Sequence, residues 1–60
     1  MAKHRIHVIG DVIIIPWRNG QFRVVRVQFV DANGRANCSN VNDVWDTGLY
    51  ILEPGEGVLT

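Results

Sequence analysis

Two apolar runs organise the chain: Val12-Ile13-Ile14-Ile15, and a longer stretch from Phe22 to Val30. β-branched and aromatic residues bounded by turn formers read as strands. Ahead of the first run, Arg5-Ile6-His7-Val8-Ile9 alternates polar and apolar until Ile9, the pattern of a half-buried strand. Gly10-Asp11 then interrupts it, which predicts a bend or bulge. Val12 to Ile15 is β-branched on both faces, so this strand is expected to be covered on both sides or bent around a core. Pro16 ends it, and Arg18-Asn19-Gly20 supplies a reversal, because Asn and Gly tolerate the positive φ that a tight turn demands.

Phe22 to Asp31 is the longest predicted strand, and its pattern changes phase. Phe22 and Val24 share one face, whereas Val25, Val27 and Phe29 share the next, with Arg26 and Gln28 opposite. One inserted residue near Val24-Val25 would turn both sets inward, which is what a β-bulge does. Asp31-Ala32-Asn33-Gly34 reads as a hairpin turn with Gly34 in the left-handed region. The return strand, Arg35 to Val41, contains Ala36-Asn37-Cys38-Ser39-Asn40, polar and poorly β-forming, and is expected at a sheet edge. Asn42 to Gly48 is too short for a stable helix, but Asn42 or Asp43 is placed to cap one helical turn that Gly48 ends. Leu49-Tyr50-Ile51-Leu52 gives a further strand closed by Pro54-Gly55, and Gly57 to Thr60 is a short extra strand or a frayed tail.

Sixty residues allow a single small core, since a chain of this size buries only about 60% of the surface its unfolded form exposes. A hydrophobic fraction of 47% with 20% charged residues excludes a disordered tail. So small a core is often supplemented by association, which makes a homo-oligomer an expectation. The basic start, Met1-Ala2-Lys3-His4-Arg5, leads into no apolar signal region, and no run approaches the roughly 20 residues of a membrane span, so the chain reads as cytoplasmic with no membrane partner. Cys38 has no second cysteine to pair with and reads as an unremarkable strand residue, behaving as a small hydrophobe.

Net charge is zero, but Lys3, Arg5, Arg18, Arg23, Arg26 and Arg35 all precede Asp43, Asp46, Glu53 and Glu56. Such asymmetry points either to an anionic partner or to mutual neutralisation once the fold brings the halves together.

From Gly10-Asp11-Val12-Ile13-Ile14, the turn glycine Gly20, and Val24 to Asp31 leading into Asn33-Gly34, the chain resembles the SH3-like small barrels, and loosely the KOW type of ribosomal and transcription-associated proteins. The resemblance covers residues 9–34. A KOW segment carries a basic residue directly before its turn glycine and a further glycine in the next strand; here Asn19 and Val24-Val25 hold those places. The expected fold is all-β: residues 1–60 as one five-stranded SH3-like barrel with one short helical turn near residues 42–47.

Catalytic and metal chemistry find little footing. His4 and His7, three apart, fall on opposite faces of a strand and do not form a metal pair. Asp31-Ala32-Asn33-Gly34 starts like a calcium loop, but the twelfth position is Asn42 where a bidentate acid is required. No nucleophile motif or phosphate loop is present, so no catalytic residues and no cofactor are assigned. The candidate site is aromatic and basic: Trp17, Arg18, Arg23, Arg26, Trp45 and Tyr50, flat rings for stacking with planar cations beside them. Trp45 is expected in the core and Trp17 at the surface. The expected function is non-catalytic binding of a protein partner or of a second copy. A KOW-like nucleic-acid binder is the runner-up, and a subunit of an oligomeric enzyme with a shared pocket the third reading. The arginines discriminate: convergence on one acid-free face favours phosphate, and pairing with the later acids favours protein.

Overall fold

The computed structural model describes residues 6–60. Five antiparallel strands, β1 (Val12–Pro16), β2 (Phe22–Val30), β3 (Ala36–Asn40), β4 (Tyr50–Leu52) and β5 (Val58–Leu59), form one sheet in the order β4-β3-β2-β1-β5. The sheet curls into an all-β half-barrel. Its concave side holds the core of Ile13, Ile15, Val25, Val27, Ala36, Cys38 and Leu52, with Val30 and Tyr50 packed against it.

Turn chemistry sets the register. Asn19 and Gly20 both have positive φ, 57° and 73°, and the Gln21 N–H donates to the Arg18 carbonyl at 3.0 Å. Positive φ at both central residues marks the tight hairpin turn whose twist matches that of strands. It aligns Pro16 with Phe22 and pairs β1 to β2 without a break as far as Val12 and Arg26. At the far end of β2 the Asp31 carboxylate accepts the N–H groups of Asn33 and Arg35, and Gly34 takes a φ of 81°, as its place in the turn predicts. Pro54 and Gly55 occupy the centre of a third turn, closed by the Glu56 N–H on the Glu53 carbonyl at 3.0 Å.

The phase change in β2 is real but sits later than the pattern suggests. Val27 lies opposite Cys38 and Phe29 opposite Asn37, so the extra residue is Gln28 and not one near Val24-Val25. Strand pairing holds β2 on the β1 side from Phe22 to Arg26 and on the β3 side from Val25 onward; the backbone bonds from Gly10 and to Asp11 reach as far as Val27, and the slip falls just past it. Consequently Val25, Val27 and Val30 face inward, while Phe22 and Phe29 are 65% and 57% exposed. β1 is likewise one-sided, with Ile13 and Ile15 buried and Val12 and Ile14 half-buried.

Three further expectations are corrected. Residues 6–8 form no strand: the Asp11 N–H donates to the Val8 carbonyl and the Val8 N–H to the Asp11 carboxylate, closing a turn at Gly10 (φ 94°). The fifth strand is instead β5, from the segment read as strand or frayed tail. His7 is buried, and neither ring nitrogen has a hydrogen-bond partner among the described residues; His4 lies outside them. β3 is not an edge but the second strand in from one. Its Ala36 and Cys38 are small enough to lie at the bottom of the curl, both 0% exposed, while the edges go to β4 and β5. Burial pushes the Cys38 thiol pKa up. Residues 42–47 hold no helical turn: the Asp46 N–H donates to the Asp43 carbonyl at 3.1 Å in a single tight turn.

β5 approaches β1 closely at Gly57. Its φ is +85°, and a methyl group there would stand 2.5 Å from Ile13 Cγ2 and 3.1 Å from both Ile15 Cγ2 and the Ile14 carbonyl. Only glycine fits both the conformation and the space.

The position of the bulge sorts core from surface in a way that stability measurements read directly. Ile13→Ala is expected to cost about 2–5 kcal/mol in urea unfolding, whereas Phe22→Ala changes stability by about 0.5 kcal/mol or less. A loss of about 3–5 kcal/mol at Phe22 would return that ring to the interior and move the bulge back toward Val24-Val25.

Candidate functional site

Four of the six residues singled out in the sequence meet at one end of the concave face. Trp17 follows β1 into the Asn19-Gly20 turn, and its N–H donates to the Gln21 carbonyl at 2.8 Å. Tyr50 enters from β4, opposite Cys38. Their rings meet edge to face with centroids 5.2 Å apart. The Arg18 and Arg23 guanidinium carbons lie 5.7 and 5.3 Å from the centroid of the Trp17 ring, within cation–π range. Weak bonds from Arg23 to the Gln21 side chain (3.5 Å) and the Phe22 carbonyl (3.4 Å) steady it there. Trp17 is 40% exposed, so part of the ring is covered by Tyr50 and the arginines and the rest meets solvent.

Arg26 is elsewhere. It pairs with Val12 and Ser39, and strand alternation puts it on the face opposite Arg23 and Val25. Trp45 is not in the core; it is 89% exposed, beside Val44 at 82%. The two residues are the central pair of the Asp43–Asp46 turn, where side chains project away from the chain reversal.

That turn is held by side chains which the pattern of apolar residues does not mark. Asn40 Oδ1 accepts the N–H groups of Asn42 (2.9 Å) and Asp43 (3.0 Å). Asp43 Oδ1 accepts the Trp45 N–H at 3.0 Å, and Asp46 Oδ1 the Gly48 N–H at 2.9 Å. Asp46 Oδ2 accepts the Asn40 amide at 3.2 Å and the Tyr50 hydroxyl. Asn and Asp at positions 40, 43 and 46 thus compete with helix formation by capturing local backbone donors. Asp46 ties the loop to the aromatic pair. The Tyr50 hydroxyl first, then the Gly48 N–H and the Asn40 amide, with a further contribution from the charge of Arg23, hold its carboxyl below the usual carboxylate range.

Where β3 ends and the chain turns off at Asn40, an open cleft of about 320 Å³ lies between β2 and the loop. Phe22, Arg23 and Val24 form one wall, and Asn40, Asn42, Asp43 and Asp46 the other. Its volume is at the small end of ligand pockets, and its lining is mostly polar where such pockets are mostly apolar. Arg35, the remaining arginine among the described residues, pairs with Glu53 at 3.0 Å. Among the described residues no group of three His, Cys, Asp or Glu side chains is placed to hold a metal ion, and no helix is long and apolar enough to cross a membrane.

No family model, no curated protein and no solved structure matches the chain.

The Asp46 network has a pH signature. A carboxyl whose folded pKa lies below its unfolded value contributes stability that is complete above the unfolded pKa and is lost as pH falls through the folded one. Carbon-detected NMR titration is expected to place Asp46 below the usual carboxylate range, and Tyr50→Phe to move its midpoint upward. An unmoved midpoint would remove the hydroxyl as the main cause.

Proposed function

We propose that this chain is a non-catalytic interaction module that docks a protein partner, or a second copy of itself, at the Trp17–Tyr50 end of the sheet. The observation that carries this reading is the half-exposed Trp17 ring, braced edge-on by Tyr50 and bearing two arginines, next to a loop that holds another tryptophan in solvent. Rigid aromatics with arginine beside them are the groups that dominate protein-binding energetics. More large apolar side chains are exposed than buried among the described residues, a surface that suits a covered face better than a free one. The curled sheet is compatible in shape with SH3-like barrels, whose aromatic grooves take extended peptides.

The arginines support a protein over a nucleic acid. Arg35 is engaged by Glu53, Arg23 lies near Asp46, and Arg26 is on the other face, so the arginines among the described residues do not gather on one acid-free surface.

Selection from a random peptide display library tests the reading. Enriched peptides are expected to lose at least tenfold in affinity on Trp17→Ala and on Arg23→Ala. If no peptide is enriched, while a single-stranded oligonucleotide binds tightly at low salt and weakens steeply as salt rises, the KOW-like alternative takes its place.

A further inference from the structure

We infer that the partner at this site is a second copy of the chain, with the Val44–Trp45 tip of each molecule seated on the Trp17–Tyr50 face of the other. The inference rests on the protein-binding reading and goes further by naming the occupant.

Consider first what the tip is. An indole 89% exposed and a valine 82% exposed are held at the centre of a turn whose backbone donors are captured by Asn40, Asp43 and Asp46. Such a loop has already lost much of the freedom that binding would otherwise cost, which is the advantage of a preorganised anchor. Tryptophan with an apolar neighbour, fixed and uncovered, fits the chemistry of a central contact residue.

Charge selects the occupant. The tip is bracketed by two carboxylates, Asp43 and Asp46, the latter held ionised by its own hydrogen bonds. Its complement is an aromatic surface with cations at the rim, and this chain carries one: the Trp17–Tyr50 pair under Arg18 and Arg23. Arg18 and Arg23 on one side and Asp43 and Asp46 on the other are then the charged rims of one contact. An anionic lipid surface would meet the same carboxylates as repulsion.

Symmetry allows the contact to close. Tip and aromatic face are neighbours on one molecule, linked through the bond from Tyr50 to Asp46. A single two-fold axis beside them brings each tip to the other face, so both contacts form at once and the assembly stops at two.

Mass in solution across a dilution series, by sedimentation or light scattering on the full chain, tests this. The wild type is expected to approach twice 6.8 kDa when concentrated and to return to 6.8 kDa on dilution, with dissociation favoured by salt. Trp45→Ala, a change at an exposed position that leaves the circular dichroism intact, should weaken the dimer about tenfold or more. Asp43→Asn keeps the acceptor for the Trp45 N–H while removing the charge; it and Arg18→Gln should each weaken the dimer severalfold, and together by less than the product of the two. Arg35→Gln, which affects only the pair with Glu53, should leave it unchanged.

A wild type that stays at 6.8 kDa up to about 1 mM, the range of the weakest specific contacts, overturns the inference. So does a dimer indifferent to Trp45→Ala and Asp43→Asn, which would pair through another face. Emission of the monomer shifting to the blue with phosphatidylcholine vesicles, but not after Trp45→Ala, would assign the tip to lipid instead. In each of these cases Trp17-dependent peptides from the display library would leave the protein-binding reading standing, and their absence would end it too.

Discussion

The short link from β4 to β5 sets the shape of this molecule. These strands are the two edges of a five-stranded sheet, yet only residues 53–57 join them. Flat, the edges would stand about 19 Å apart at the usual strand spacing. Fully extended, the link from Leu52 to Val58 reaches about 20 Å, and the Pro54-Gly55 turn folds half of that length back to under about 7 Å. The chain can make the connection only if the sheet curls, and curling gives Ile13, Val25, Val27 and Cys38 something to pack on: each other. Among the described residues no second layer covers the convex side, which is why Phe22, Phe29 and Val58 remain in solvent.

With so little interior, polar groups hold much of the rest. Asp11, Asp31, Asn40, Asp43, Asp46 and Glu56 each accept a nearby backbone N–H, and together they fix the reversals that the core does not reach. Each such bond contributes roughly 0.5–1.5 kcal/mol net, but every turn so fixed also determines which residues are presented. The 41–49 loop illustrates the exchange. Its side chains take up the backbone donors that a helical turn would have used, and the same geometry leaves Val44 and Trp45 with no cover from their own chain.

Turns and strand runs were the legible part of the sequence. Asn19-Gly20, Gly34 and Pro54-Gly55 declare themselves because few residues accept positive φ, and Val12 to Ile15 and Phe22 to Val30 because β-branched and aromatic residues crowd other conformations. What was not legible depends on neighbours distant in sequence. The bulge falls at Gln28, just past Val27, the last residue of β2 that bonds to the Gly10-Asp11 segment, a fact about pairing partners and not about β2 itself. Polar β3 is interior because its inward positions are the small Ala36 and Cys38, both fully buried, while its polar residues alternate with them. In the candidate site, Trp17, Arg18, Arg23 and Tyr50 were found by residue type and do meet, whereas Asn40 and Asp46, which join loop to rings, carried only the ordinary signature of turn formers. Trp45 defeated the reading because hydrophobicity alone does not distinguish a ring that fills a core from one that is displayed.

The closeness of Gly57 to β1 has a consequence for how the protein avoids clumping. Among the described residues, the two-residue β5 and the Thr60 that follows it are what shields the outer hydrogen-bonding row of β1, the most aliphatic of the five strands. Any side chain heavier than a hydrogen atom at position 57 would push against Ile13 and lever that shield away, leaving a bare aliphatic ribbon of the kind other molecules readily add to. One missing methyl group therefore stands between an ordered tail and a sticky border.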